Sequence, residues 1–568
     1  MSSFWSKWRR SSPLIKIKKM KKYSLKLLFV LLVSFSNIIV FSQSSNYFET
    51  AKNIEIFTDL YKELDIFYVD EVNSGELIKT AIDNMLKSLD PYTTYIPESK
   101  IEDYKFMTTG EYGGIGAMIT KIEDYIYISE PYEGFAAQKA GLMAGDKILE
   151  VNGVSSKGKT TQELSEILKG QPNTEVNILI ERDTGTHFLV KFNREKVSIK
   201  SVPYYGILGD DIGYIKLRSF TRGCGNEVKE ALRSLKSQKE LNGIILDLRN
   251  NGGGLLNESI DIVNLFVPKG ETVVVTKGKI KDWEKTYRTK YQPQDTTTPL
   301  VILINGQSAS ASEIVSGAIQ DLDRGVVIGK KSFGKGLVQQ TRKLSYNAQL
   351  KVTVAKYYIP SGRCIQSLDY SSKNIDGSGD KIPDSLTSIF YTKNGREVKD
   401  GGGINPDIII EDSIPSDILI SLVRNRLIFD YATQYRLKHL NISDPENYIL
   451  TDDDYYDFQD FLLGKEYNYI TGVEKSIEEL EKTAKEEKYH SLISDQLDVM
   501  LNKIRDEKKH DITHNKDEIK HVLSSEIISR YYYQKGRIIE ELKYDDNINT
   551  SIEVFENLDY YNLILSEK

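Results

Sequence analysis

The sequence predicts a multidomain α/β chain with a helical N-terminal module, a compact β-rich module, a larger α/β core and a helical C-terminal region. Three patterns predict it. Between residues 196 and 410, apolar strand-like runs such as GIILDLRN and LVILIN alternate with amphipathic helical runs such as NEVKEALRSLKSQ and ASEIVSGAIQDL, as in sheets covered by helices. Between 110 and 195, short strands joined by glycine turns hold only two helical stretches, the pattern of a small β module. On either side, apolar residues recur at three- and four-residue spacing, the helical period. A chain of 568 residues is too long for a single core.

In chain order, MKKYSLKLLFVLLVSFSNIIVFSQ begins at Met20 with two lysines and runs apolar from Leu27 to Phe41, broken by Ser34, Ser36 and Asn37. A basic start, a short apolar run and the small Ser42 read as a secretory signal peptide over residues 1–43, with Met20 as its start. The alternative is an uncleaved N-terminal anchor, for which the run is short. No cysteine follows the run, which argues against a lipid anchor. The expected destination is export to a periplasm, either released or associated with the membrane through that segment.

Residues 44–108 form the helical module. Ile54, Phe57, Leu60, Tyr61, Leu64 and Phe67 share one face, Leu77, Ile78, Ala81, Ile82, Met85 and Leu86 another, and Ser88-Leu89-Asp90-Pro91 ends the second helix. Such a module suits packing on a neighbour or on a second copy, hence an expected homodimer. Over 109–195, GEYGGIGAMIT and YIYISEP read as strands, AAQKAGLMAGDKILEVNG as a short helix, turn and strand, and TTQELSEILKG as an amphipathic helix; TEVNILIER and THFLVKFNRE form a hairpin around Thr184-Gly185. Residues 196–412 are the core, with a largely parallel sheet built from DIGYIKLRSF, GIILDLRN, TVVVT, LVILIN and GVVIG. GIILDLRN is almost continuously apolar, as expected of a strand buried on both faces. Residues 413–568 are charged, tyrosine-rich and helical in pattern, an accessory region without a recognisable motif.

Composition narrows the functional classes. A net charge of -7 without a basic patch interleaved with aromatics gives no footprint for nucleic acid. Cys224 and Cys364 lie far apart and match no metal-ligand spacing; they pair or stay free. No metal and no cofactor is implied.

The chemistry concentrates in NGQSASASEIVSGAIQD, residues 305–321, where Ser308, Ser310 and Ser312 alternate as a strand turns into a helix. Ser310-x-x-Glu313 matches a capping box. The same junction, where a strand end feeds a helix, is also where open α/β sheets place function, beside helix-start amides able to stabilise an oxyanion. A serine nucleophile needs a base. The six histidines are His187, His439, His490, His510, His514 and His521, so none falls within the α/β core. Ser-Phe-Gly-Lys-Gly at 332–336 offers Lys335 between two glycines; a buried lysine loses its proton more easily and then serves as a base. Gln339, four residues on, falls on the same strand face and could orient the amine. The plainer alternative is a surface turn lysine. Asp247-Leu-Arg-Asn-Asn-Gly-Gly-Gly-Leu-Leu ends a buried strand in glycines whose amides either face a developing negative charge or merely turn the chain.

Together these stretches resemble the C-terminal processing peptidases, also called tail-specific proteases. SLDPYTTYIP, GGIGAMI, AGLMAGDKILEVNG, DLRNNGGGLL, SASASEI, SFGKGLVQQ and GGGINPD occur in the family's order over most of residues 50–410. The resemblance implies a PDZ domain over 109–195 and a ClpP/crotonase-like serine peptidase core over 196–412. It makes Ser310 the nucleophile, Lys335, twenty-five residues on, the general base, and Gln339 its orienting partner. Oxyanion amides would come from Gly253, Gly254 and Ala311, and Asp321 matches an acidic position that supports the site in some members. Amides around Gly113, Gly114, Ile115 and Gly116 would bind a substrate's terminal carboxylate while its chain adds as a strand. The implied partners are proteins with accessible C-terminal tails and an activating protein.

Three positions depart from the family. Gly252 replaces a proline, which loosens the oxyanion turn without removing its amides. Tyr92 replaces a histidine after Asp-Pro, a position expected to lie far from the chemistry. Lys169 replaces an arginine linked to PDZ-gated activation, and lysine lacks its bidentate contacts. Two rivals arise from the same residues: a non-catalytic tail-binding scaffold, and a serine enzyme borrowing His187.

Overall fold

The computed structural model describes residues 47–182, 185–373, 379–411 and 414–566. The expected signal peptide and Thr184 of the hairpin turn lie outside the described residues. The chain divides into two compact units, one ending at Met85 and one running from Leu86. The first holds a helix over 47–67 and most of the helix Ser74–Lys87, which stops where Ser88-Leu89-Asp90-Pro91 was expected to end it. Among the described residues no helix is long and apolar enough to cross a membrane.

The second unit opens with the β-rich module. Its antiparallel sheet runs, in spatial order, Ala117–Ile122, Tyr125–Pro131, Lys147–Val151, Glu175–Arg182 and Thr186–Asn193. Alternate residues Ile126 and Ile128, then Val176, Ile178 and Ile180, point inward and are wholly buried, the period-two pattern of a one-sided sheet. Helix Thr161–Leu168 covers them with Leu164 and Leu168 and starts at a reciprocal capping box between Thr160 and Glu163. Entry and exit strands Glu111–Gly114 and Glu195–Ser198 pair with each other, which closes the module.

The core is a three-layer sandwich. Its sheet runs Tyr204–Leu208, Ile212–Lys216, Gly243–Asp247, Leu300–Ile304, Val326–Gly329, Ile408–Ile409, and is parallel from the second strand onward. Helices Cys224–Gln238, Leu256–Phe266 and Ala311–Asp321 cover one face, with Ile244, Leu246 and Ile302 beneath them. The other face, with Ile245, Val301 and Leu303, is covered by the end of helix Lys516–Leu542 and by helices Asp546–Glu556 and Leu558–Leu565. A Cβ on Gly243 would sit 2.4 Å from the Phe555 ring, so sheet and helix touch there. The C-terminal helices are therefore a layer of the core as well as part of the helical region, whose own core joins Asp417–Arg424, Leu427–Lys438, Asp452–Phe461 and Lys516–Leu542.

TVVVT, expected among the parallel strands, lies elsewhere. It belongs to Thr272–Gly278, which pairs antiparallel with Lys285–Arg288 and with the long strand Gln349–Tyr358. Gln349–Tyr358 also pairs with Leu337–Lys343 and with Thr94–Ile96, a strand inside the segment read as helical. This second sheet brings SLDPYTTYIP beside SFGKGLVQQ. Both cysteines are free.

Candidate active site

Strand Leu300–Ile304 is buried throughout and leads through Asn305 into helix Ala311–Asp321. The three serines between them go different ways. Ser308 Oγ donates to the Leu248 carbonyl at 2.9 Å and accepts from the Asn305 amide at 2.9 Å. Ser312 Oγ donates to the Asn251 carbonyl at 2.8 Å. Both pin the helix start to the loop that follows Asp247. Ser310 instead lines a cleft of about 480 Å³ together with Gly253, Gly254, Ala311, Lys335 and Gln339. Its backbone sits at φ 56°, ψ -110°, where an L-residue is strained, a condition that persists mostly at functional sites.

Glu313 ties this loop to the lysine loop. Its buried carboxylate accepts from Ser310 N at 2.7 Å, Ser332 Oγ at 2.6 Å, Gly334 N at 2.6 Å and Lys335 N at 2.9 Å. Complete burial pushes its carboxyl up to about 7, against the pull of those four bonds. In sequence Glu313 signals only half a capping box; its wider role depends on a loop nineteen residues away in the chain.

Lys335 projects into the cleft with its amine 4.3 Å from the centre of the Tyr92 ring. Burial, then the neighbouring Lys351 charge, lowers it to about 8, while Glu313 and Asp90 pull the other way. The Tyr357 hydroxyl donates to the carbonyls of both Lys335 and Ser310, a second bridge between the loops. Tyr92 was expected to lie far from the chemistry; the structure corrects this, because pairing of Thr94 with Lys351 carries the preceding residues to the lysine.

Gln339 lines the same cleft, and its amide nitrogen donates to Thr353 Oγ1 at 3.2 Å. Thr353 N in turn donates to Thr93 Oγ1, which donates to the buried Asp90. Gly253 is pressed against the Ser310 loop: a Cβ there would lie 2.9 Å from both Ser310 Cβ and Ala311 N, at φ +95°, so only glycine fits. Its own amide donates to Asn251 Oδ1 at 2.9 Å. Gly252 has open space around it. Asp321 does not join the cleft. It ends the helix that Ser310 starts, roughly 16 Å away along the axis, and binds Arg363 at 2.8 Å and the Ser361 amide at 2.9 Å. Among the described residues no histidine lines the cleft; His187 sits on the strand Thr186–Asn193, half-exposed beside Glu181.

Family models place this geometry. Residues 211–371 match peptidase family S41, 127–182 a PDZ domain and 418–555 the model described as "Probable PDZ-protease, C-terminal helical domain". A carboxy-terminal-processing protease of Bartonella bacilliformis is 33% identical over 387 residues, 67% of this chain and 81% of that protein. The chain belongs to peptidase family S41. A relative named "Probable CtpA-like serine protease" from Staphylococcus aureus is 38% identical over 316 residues, 55% of the S41 peptidase described here and 62% of its own length. Among solved structures, the photosystem II D1 C-terminal processing protease is 26% identical, covers 62% of this chain and 92% of its own, with a TM-score of 0.35. The family models and the Bartonella relative make the protein a PDZ-containing serine protease.

In this S41 peptidase Gly113 and Gly114, expected in a loop, end the strand Glu111–Gly114, and only Ile115 and Gly116 link it to Ala117–Ile122; the segment is tightly seated. A Cβ on Gly113 would lie 2.1 Å from the Gly170 carbonyl and one on Gly116 2.4 Å from Phe135 Cβ. The Ile115 and Gly116 carbonyls accept from Ala137 and Tyr132 amides at 2.8 and 2.9 Å, which fixes the loop before Ala117–Ile122, the edge strand of its sheet. At the end of the PDZ helix, Lys169 Nζ donates to Asp103 at 2.7 Å. Asp103 belongs to helix Ile101–Thr109, whose Tyr104, Met107 and Thr108 line the cleft that holds Ser310 and Lys335. PDZ helix and cleft are therefore one helix apart.

Proposed function

We propose that this S41 peptidase is an exported endopeptidase that holds protein C-terminal tails on its PDZ domain and cleaves them with a Ser310–Lys335 dyad. The tail's carboxylate takes the amides of the Gly113–Gly116 loop and its chain extends the edge strand Ala117–Ile122. In the cleft, neutral Lys335 accepts the Ser310 hydroxyl proton and Ser310 Oγ attacks the scissile carbonyl. The Gly254 and Ala311 amides stabilise the oxyanion; Gly253 joins them only by giving up Asn251 Oδ1. The lysine returns its proton to the leaving amine, and water releases the acyl group from Ser310. Gln339 positions the lysine through the wall it forms with Thr353, and Asp321 acts at a distance by fixing the far end of the helix.

One observation supports this reading above the rest: strained Ser310 shares its cleft with a buried lysine brought down to about 8. The test is cleavage of an unstructured protein with an apolar C-terminal tail, across pH, by wild type, Ser310→Ala and Lys335→Ala. Each variant is expected to lose about a thousandfold or more, and the wild-type rate to rise with pH through about 8 as Lys335 sheds its proton. Full activity in either variant would refute the dyad. Tail binding without cleavage by the wild type would favour a tail-binding scaffold or a requirement for an activating partner.

A further inference from the structure

The strand Gly243–Asp247 ends in a fully buried carboxylate that organises the turn after it. Asp247 accepts from Tyr214 OH at 2.7 Å, Lys216 Nζ at 2.8 Å, and Arg249 at its amide (2.9 Å), Nε (3.0 Å) and Nη2 (2.7 Å). Arg249 Nη2 also meets a second carboxylate, Asp545 Oδ2, at 2.6 Å. Asp545 comes from the far end of the chain. Its other oxygen, Oδ1, accepts from the Asn547 amide at 3.0 Å and caps helix Asp546–Glu556, the helix laid on the core sheet. The guanidinium is thus clamped between the sheet and a C-terminal helix.

Immediately after Arg249 the chain enters the turn that faces the nucleophile. Asn250 stands at φ 62° and exchanges two hydrogen bonds with the Asn305 side chain, at 3.0 and 2.8 Å. The Asn251 carbonyl receives both the Ala309 amide at 3.0 Å and Ser312 Oγ. Gly253 then presses on Ser310. Arg249 and the amides beside Ser310 are thus joined by a short segment bonded at Asn250, Asn251 and Gly253.

We infer that Asp545 is a positioning residue of the catalytic site: through Arg249 it holds the turn from Asn250 to Gly254 against Ser310, so the C-terminal helical region completes the oxyanion machinery. This rests on the dyad reading above. It gives the residues after 412 a part in turnover as well as in covering the core.

The discriminating variants exploit the two oxygens. Serine is as good a helix cap as aspartate but too short to reach Arg249, whereas glutamate caps less well but keeps a carboxylate within reach of Arg249. Asp545→Ser is expected to lower kcat about tenfold or more, as small misplacements in active sites do, and to weaken a peptide boronic acid, which forms a tetrahedral adduct on the nucleophile, by a similar factor. KM and the Kd of a tail peptide on the PDZ domain should stay at wild-type values, and Asp545→Glu should recover most of the loss. Wild-type kcat and boronate affinity in Asp545→Ser would overturn the inference. So would a loss that glutamate does not relieve, or one matched by an equal loss of tail affinity, since either marks a general structural effect. If Asp545→Ser does not fold, Asp545→Glu alone decides, because the inference requires it to keep most of its turnover and boronate affinity. Failure of the dyad reading shows separately, as cleavage by Lys335→Ala.

Discussion

Lys335 is held in a place that suits chemistry and opposes stability. Its amine is lowered to about 8 from an ordinary 10.5, so between those values the folded chain binds fewer protons than the unfolded one. Its contribution to stability is therefore fullest above pH 10.5 and is lost as pH falls toward 8. Lys335→Met, which fills the same space without a charge to desolvate, is expected to melt above wild type at pH 7, with the gap closing toward pH 10.5, while cleavage disappears. Thermal denaturation across that range checks it; a lower melting point at pH 7 would show that the charge is well accommodated. Ser310, Lys335 and the glycine turn were legible from sequence because each is a local pattern at a strand end. Tyr92, Glu313 and Lys351 were not, since their importance comes from pairings between Thr94 and Lys351 and between the 313 and 332–335 segments, which no local period encodes.

At the level of elements, the Ser310 loop and the glycine turn after Asp247 are bonded into one piece. Ser308 and Ser312 bond to carbonyls of the segment after Asp247, and each bond contributes about 1 kcal/mol. Ser308→Ala and Ser312→Ala are therefore expected to lower stability by about that much apiece, and to retain measurable cleavage where Ser310→Ala has none. Chemical denaturation together with the cleavage assay checks both parts. Equal loss of activity in all three would mean that the alternating serines share one role. The helices and buried strands around this loop follow from apolar periodicity. Thr94–Ile96 escaped it because three residues show no period, and Thr272–Gly278 reads as a core strand because two of its valines, Val273 and Val274, are buried as deeply as in a core strand.

Across the whole molecule, the chain's last helices decide whether the core is closed. Ile548, Val554, Phe555 and Tyr561 are buried against the second face of the parallel sheet. At roughly 1.5–3 kcal/mol for each such side chain, their loss would remove about 6–12 kcal/mol, which is comparable to the stability of a typical domain. A chain ending at Asp545 is expected to be insoluble or to lack a cooperative melting transition; a soluble product melting like wild type would show that the sheet face tolerates water. This dependence was hidden in the sequence, where charged and tyrosine-rich helices read as an appendage. The apolar positions that give them away, Phe555 against Gly243 above all, are spaced as in any amphipathic helix and do not say which surface they cover.

The dyad is tested most directly by labelling with a fluorophosphonate, which captures an activated serine, followed by peptide mapping across pH. The expected result is a single adduct at Ser310, forming faster as pH rises through about 8 and lost in Lys335→Ala. An adduct on another serine, or labelling of Ser310 that ignores Lys335, would contradict the account.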